Sequence, residues 1–398
     1  MRKVTCQQPA RLVVGSDAFM ECVPYLEEAH ARRVVVIAGS TTARLAAPLI
    51  DAARARGIDV TLWSEIAGEP TIDVFDRALA AARTVDADTI VGFGGGSALD
   101  AAKLVAGLFD DARPVRDVFG IGRVGRRRVR LVCVPTTAGT GSEVSPNAIL
   151  LDDGARSKHA VISPFLVADA AFVDPVLARD LPPDVTATTG IDALTHCIEA
   201  FANRHAHPMV DEWALAGIRL IGANLVRAIR DGHDSEAREA LALGSLYGGL
   251  CLGPVNTAAV HALAYPIGGM FGIGHGLSIA LMLPHVLEFN VVADPSRYAI
   301  VAAALGVEPR RTAFETARAG VERCRALIQA CGLPLGLASV NIPKTAIPQM
   351  VASALTVKRL LDNNPRSVTE ADAAAVYEAA FDSDLTSLAL ESNLENKY

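Results

Sequence analysis

From Ala240 to Leu287 the chain carries no Asp, Glu, Lys or Arg, yet it holds His261, His275 and His285. A run this long without charge must be removed from water, and an unbroken helix of that length would read as a membrane span. Gly248-Gly249, Gly253-Pro254, Pro266, Gly268-Gly269, Gly272, Gly274, Gly276 and Pro284 cut it into pieces too short or too broken to cross a bilayer. The run therefore reads as the core of a large soluble domain, built of several packed helices joined by tight turns. Imidazoles in such a core need partners. Backbone carbonyls satisfy most buried histidines, and a metal ion is the alternative that would hold two of them at once.

The full chain, at 398 residues, is too long for one ordinary core, so two domains are expected. The break is placed after Asp174-Pro175 and Pro182-Pro183, giving residues 1–182 and 183–398, with helical periodicity almost throughout the second part. A formal charge of −7 argues against a nucleic-acid or anionic-membrane surface, because either would need a basic face. The one basic cluster, Arg123 to Arg130, lies between apolar segments and reads as a solvated hairpin or loop. Seven cysteines, odd in number and without a C-x-x-C pair, argue against a disulfide framework and fit a reducing cytoplasm. The N-terminus shows no apolar segment of the secretory kind.

In the first part, Val34-Val35-Val36-Ile37-Ala38 runs into Gly39-Ser40, the pattern of a buried parallel strand reaching its carboxyl end. A helix over 43–56 and a strand over 59–63 complete a β-α-β unit. A second helix, about 72–85, precedes the strand Thr89 to Phe93, which meets Gly94-Gly95-Gly96-Ser97 and a helix start without a spacer. Three glycines let the backbone approach a ligand closely, and the amides of a helix start favour a phosphate. The turn is neither G-x-G-x-x-G nor a P-loop. Asp100 and Lys103, one turn apart, read either as a surface ion pair or as a pair facing the ligand. A further strand, Arg130 to Val134, ends in Pro135-Thr136-Thr137-Ala138-Gly139-Thr140-Gly141-Ser142-Glu143. Ligands bind outside the carboxyl ends of strands in an open α/β sheet, so these three junctions converge on one nucleotide crevice.

In the second part, Asp192 and His196 stand at i and i+4, on one face of a helix. Alone they read as a helix-stabilising pair. With His261 and His275 in the uncharged core, one carboxylate and three imidazoles can close a mononuclear site for a first-row transition metal.

These residues resemble the iron-containing (group III) alcohol dehydrogenases. GGGSALDAAK at 94–103, PTTAGTGSE at 135–143 and GIDALTHCIEA at 190–200 carry the resemblance, followed by His261 and His275, and it spans essentially the whole chain. It implies an α/β dinucleotide-binding domain with a parallel sheet, an all-helical second domain, the fold shared with dehydroquinate synthase, and NAD or NADP with a metal in the cleft. Carried over by position, it implies Asp192, His196, His261 and His275 as ligands of Fe2+, with Zn2+ equally suited to the set. It implies Gly94, Gly95, Gly96, Ser97 and Asp100 at the pyrophosphate turn, Thr136, Thr137 and Thr140 along the cofactor, and Lys158 near the nicotinamide ribose. The implied chemistry is reversible hydride transfer between nicotinamide and a small alcohol or aldehyde, in a homodimer or higher homo-oligomer.

Two positions depart from the family pattern. Tyr265 stands where many members have a second histidine, leaving its hydroxyl as the candidate proton relay. Gly39 stands where many NAD-specific members have an Asp on the adenosine ribose, so NADP(H) is expected to be accepted alongside NAD(H). The helices supplying the metal carry no Lys or Arg, from which a mainly uncharged substrate is expected. Alternatives within the family are a maleylacetate reductase or a hydroxyacid-oxoacid oxidoreductase. From another class, a sugar-phosphate cyclase resembling dehydroquinate synthase would want a basic cluster that the 240–287 core lacks, and a non-enzymatic nucleotide sensor would leave the four ligands unexplained.

Overall fold

A computed structural model describes residues 2–155 and 157–383. The chain forms two compact units, one of Thr5–Leu181 with Gly232–Gly253, the other of Pro182–Asp231 and the chain from Pro254 onward, with the few residues before Thr5. In the first, strands β1 (Arg11–Val14), β2 (Arg33–Gly39), β3 (Asp59–Ile66) and β4 (Thr89–Gly94) are separated by helices α1 (Cys22–Glu28), α2 (Ala47–Ala55) and α3 (Ile72–Thr84). Helix α4 (Gly96–Gly107) follows, then β5 (Gly120–Ile121), β6 (Arg130–Pro135), β7 (Asn147–Asp152), β8 (Ser157–Ile162) and β9 (Ala170–Val173).

Six of these strands make a parallel sheet in the order β1-β9-β6-β4-β2-β3, and β5, β8 and β7 make a small second one. Residues of β2 alternate between two cores: Val35 and Ile37 pack on one face with Ile90 and Leu99, Val34 and Val36 on the other with Val91 and Leu49. A strand covered on both sides has no wet face, which is why its sequence is continuously apolar. The order reverses between β2 and β4: β3 lies beyond β2 on one side and β4 on the other. Gly39 and Gly94 end the two strands that flank this reversal, where such sheets bind ligands.

The expected helix after Gly39 begins as a 3-10 turn over Ala43–Ala46 and becomes α-helical only from Ala47. Arg123, Arg126 and Arg128 of the basic cluster are exposed, as a solvated loop would have them, whereas Arg127 is not. Arg127, with its side chain 11% exposed, pairs with Asp169 and donates to three carbonyls, so it ties the loop to β9.

Beyond Pro182 the described chain is helical: α5 (Pro183–Phe201), α6 (Pro208–Arg230), α7 (Ser235–Leu252), α8 (Ala259–Phe271), α9 (His275–Val291), α10 (Pro295–Ala304), α11 (Ala313–Ala330), α12 (Ile347–Ala354), α13 (Lys358–Leu361) and α14 (Glu370–Asp382). The uncharged run is indeed three buried segments, α7, α8 and α9. Its breaks fall at residues 253–258 and 272–274; Pro266 and Pro284, expected to divide it, lie inside α8 and α9. Each proline removes one backbone donor, but burial holds the helix together across it. Among the described residues no helix is long and apolar enough to cross a membrane.

Helix α7 groups with the α/β unit although it lies beyond the expected break. Ala242 and Leu246 enter the core against α4, and buried Arg238 donates to the carbonyls of Gly232 and Arg179. Gly249 lies so close to Gly141 that a Cβ on it would stand 2.5 Å from the Gly141 carbonyl oxygen. No disulfide joins the seven cysteines, all of them among the described residues.

Candidate metal centre and nucleotide crevice

The glycine turn after β4 needs its glycines for space and for backbone angle. Gly94 has φ +152°, which side-chain-bearing residues rarely adopt, and a Cβ there would lie 3.5 Å from the Gly39 amide nitrogen. The ends of β2 and β4 are therefore within touching distance. A Cβ on Gly95 would meet Thr137 at 3.3 Å, and one on Gly96 would meet Thr140 at 2.5 Å. Gly39, Gly94, Gly95, Gly96, Thr137 and Thr140 are thus packed closely together at the start of α4, whose first amides and positive dipole end suit an anion. Ser97 lies in the first turn of that helix. Thr136 donates its backbone amide to Gly94 O at 2.9 Å, while its Oγ1 is enclosed without a hydrogen-bond partner. An orphaned hydroxyl beside a glycine cradle fits a bound dinucleotide.

Asp100 and Lys103 are not a surface ion pair. Asp100 accepts from Ser142 Oγ at 2.5 Å and from the Ile149 amide at 2.9 Å. Lys103 is fully buried and donates to Ser142 O at 2.8 Å, Ser142 Oγ at 3.0 Å and Asn147 O. Together they fasten the 136–147 loop to α4. Burial pushes the carboxyl of Asp100 up and the ammonium of Lys103 down, each partly offset by the other. Lys158, on β8, has its ammonium buried against the carboxylate of Glu69. Glu69 had no signal in the sequence beyond being a loop carboxylate.

Helix α5 presents Asp192, His196 and Glu199 at i, i+4 and i+7, one continuous face. Helix α8 supplies His261, and His275 is the first residue of α9. Gly276 seats that end of α9 on α5; a Cβ there would lie 2.7 Å from the carbonyl carbon of Thr188. Three imidazole Nε2 atoms converge on one carboxylate oxygen, Asp192 Oδ1, from His261 at 3.4 Å, His275 at 3.6 Å and His196 at 3.7 Å. The donor atoms of Asp192, His261 and His275 all lie within 4.8 Å of one another, with His196 approaching through Asp192.

These separations exceed ordinary hydrogen bonds, and Asp192 Oδ1 and His261 Nε2 are enclosed without a hydrogen-bond partner. Four donors about 2.1 Å from one cation in a tetrahedron stand about 3.4 Å apart, so the set fits a metal better than it fits itself. The nitrogen and oxygen donors suit iron or zinc alike.

Behind His261, Glu199 Oε2 lies 2.6 Å from Nδ1, while Glu199 Oε1 accepts from the Val260 amide at 2.6 Å. The carboxylate satisfies a first-turn donor of α8 and fixes the proton of His261 on Nδ1, which leaves the Nε2 lone pair facing inward. Burial works against charge on His261, but Glu199 and Asp192 overcome it and raise its pKa to about 9 in the metal-free protein. Burial likewise pushes Asp192 up, and His196, His275 and His261 more than reverse this, holding it well below the usual carboxylate range. Glu199 was legible as the next residue on the face of Asp192 and His196. It was missed because the reading stopped at the ligand spacing.

His275 is the open member of the set, with its side chain 30% exposed against 3–6% for Asp192, His196 and His261. Tyr265, one turn after His261, stands on that side with its ring 6.3 Å from the His275 ring. His285 is buried further along α9, outside the donor group. Arg359 of α13 donates to the Tyr265 hydroxyl at 3.4 Å, bringing a cation near a centre whose own helices have none. No local pattern around Arg359 announces this.

A glycine cradle at the switch point of a parallel sheet, and a helical unit bearing an Asp and three His around one point, define a metal-dependent dinucleotide oxidoreductase. Residues 9–175 match the family model described as iron-containing alcohol dehydrogenase, and residues 186–381 match that of the Fe-containing alcohol dehydrogenase family, C-terminal. The chain belongs to the iron-containing alcohol dehydrogenase family. It is 37% identical to long-chain-alcohol dehydrogenase 1 of Geobacillus thermodenitrificans (strain NG80-2), over 92% of this chain and 94% of that one. Among solved structures it is similar to a 1,3-propanediol oxidoreductase, with TM-score 0.92 and 28% identity over 96% of this chain and 100% of the other. It is also similar to sulfoacetaldehyde reductase from Bifidobacterium kashiwanohense in complex with NAD+, with TM-score 0.87 and 26% identity over the same shares. The enzyme is an oxidoreductase acting on the CH–OH group of alcohols, or in reverse on aldehydes.

Proposed function

We propose that Asp192, His196, His261 and His275 hold one divalent cation, iron or zinc, and that Gly39, Gly94, Gly95, Gly96, Ser97, Thr136, Thr137 and Thr140 hold NAD(H) or NADP(H). The observation that carries the metal assignment is the convergence of three Nε2 atoms within 3.7 Å of one Asp192 oxygen. When bound, the cation supplies Lewis acidity toward the substrate oxygen and the dinucleotide gives or takes the hydride. The chain's part is to prepare and guard that chemistry. Glu199 keeps the His261 proton on Nδ1, and Gly276 lets α9 sit close enough to place His275. The buried ligand face of α5 excludes water, which preserves the electrostatic effect. Tyr265 is the candidate to pass a proton on the open side, although a neutral phenol hydroxyl is a weaker base than a neutral imidazole. Asp100 and Lys158 are kept at the cofactor in this reading, held there by their contacts to Ser142 and Glu69.

Cofactor choice rests on Gly39. With no carboxylate at the end of β2, nothing there repels a 2′-phosphate, and Thr42 and Arg44 follow within one turn. Dual use of NAD(H) and NADP(H) is the expected outcome. Replacing Gly39 with Asp should weaken NADPH use selectively; equal loss of both cofactors would remove position 39 from the ribose. Cysteines without a disulfide fit a cytoplasmic enzyme, and a homo-oligomer is the assembly to seek by light scattering. The function itself is tested by metal analysis of anaerobically purified protein and NAD(P)H oxidation against an aldehyde panel. A metal-free protein with undiminished activity in chelator would overturn the metal assignment.

A further inference from the structure

The expectation of an uncharged substrate was drawn from the helices that carry the metal donors, and α13 changes its premise. Arg359 is half-buried, and among the described residues it forms no ion pair. Its Nη2 donates to the Tyr265 hydroxyl at 3.4 Å, and Tyr265 stands beside His275, the donor of the centre that is open to solvent. Taking a guanidinium partly out of water without an anion is costly. The contact to Tyr265 is long beside the usual 2.9–3.0 Å or so of such bonds, and a guanidinium has five donors, so most of its capacity is unspent. Its planar fork matches the two oxygens of a carboxylate or the face of a sulfonate.

We propose that Arg359 is a specificity-determining residue that receives an anionic group at the end of the substrate remote from the reacting carbon, with Tyr265 holding the guanidinium in place. This rests on the dehydrogenase reading above and narrows its substrate class to short aldehydes and alcohols ending in a carboxylate or sulfonate. Helix α13 packs against α8, the helix of His261 and Tyr265, so the cation and the donors are carried on one support.

The test uses metal-loaded full-length enzyme with NADH and NADPH. It compares kcat/KM for glyoxylate against acetaldehyde and for 4-oxobutanoate against butanal, in the wild type, Arg359→Met and Arg359→Lys; an ω-sulfonate aldehyde distinguishes the two anions. The wild type should favour the anionic member of at least one pair. Arg359→Met should lose on the order of tenfold to a hundredfold of that preference through KM, as expected for one charge-assisted contact, with neutral aldehydes held within about twofold. Arg359→Lys should retain part of the preference. Propionate should inhibit wild-type reduction of butanal competitively and should not inhibit Arg359→Met. An equal fall for charged and neutral substrates in Arg359→Met would assign Arg359 a structural role and overturn the proposal. Turnover of neutral aldehydes with no charge preference in the wild type overturns the anion assignment while leaving the dehydrogenase reading intact; no turnover of any aldehyde overturns both.

Discussion

Glu199→Gln disturbs the metal centre at one remove from the donors. Each oxygen of this buried carboxylate meets one donor at 2.6 Å, the Val260 amide on Oε1 and His261 Nδ1 on Oε2. An amide of the same shape has only one oxygen. If that oxygen stays on Val260, the NH2 group faces Nδ1 and moves the imidazole proton to Nε2, the atom aimed at Asp192. If the amide flips, its NH2 confronts the Val260 N–H. Either way one buried, charge-assisted hydrogen bond is lost, about 1.5–3 kcal/mol. Partners that orient a metal-bound histidine are independently worth about 10- to 100-fold in metal affinity, roughly 1.4–2.7 kcal/mol, so the two estimates agree. The assay is competition against a chelator of known affinity at fixed pH, with melting of the metal-free proteins alongside. The variant should bind Fe2+ or Zn2+ 10- to 100-fold more weakly at about that range. Unchanged affinity would show that α8 alone orients His261, and the reasoning would fail.

Burial raises Glu143 to about 7 from 4.5, with its own backbone amide and Lys103 offsetting only part of the effect. The folded state then keeps a proton that the unfolded chain has released, so the contribution of this one group to stability is fully present below about pH 4.5 and is lost as pH rises to 7. Glu143→Gln should therefore gain up to about 3 kcal/mol over the wild type at pH 8 and little at pH 4.5, read from urea midpoints; a gain independent of pH would contradict this. Gly96→Ala places a Cβ 2.5 Å from Thr140 Cγ2, so Thr140 must shift; it should raise the dissociation constant for dinucleotide at least tenfold, measured by NADH fluorescence, and cost about 1–3 kcal/mol in unfolding free energy, and unchanged affinity would remove Gly96 from the cofactor site. Gly276→Ala drives α9 off the Thr188 carbonyl and should cost about 1–3 kcal/mol in unfolding free energy while weakening metal binding through His275. Unchanged melting together with unchanged metal affinity would show that α9 can shift without moving its ligand.

Periodicity and residue chemistry determined a good deal without the fold. The continuous apolar strands around 34–38 and 89–93, the glycine turn at 94–96, the helical character beyond Pro182 and the pairing of Asp192 with His196 are local properties, written in the spacing of neighbouring residues. The burial of the uncharged run followed from composition alone. Short or half-exposed elements such as β1, β7 and β8 were not legible, because four to six residues of mixed exposure carry too little pattern to separate a strand from a loop. Only the tertiary structure decided which distant residues meet. Lys103 read equally as a surface charge or as a ligand-facing one until the fold buried it against the Ser142 loop. Helix α7 lies on the helical side of the expected break in sequence and packs with the α/β unit. Glu199 lies 62 residues from His261, and Arg359 lies 94 residues from Tyr265. Contacts at such separations are set by how whole helices pack, and that packing is a sum of many weak terms which no local window of sequence contains.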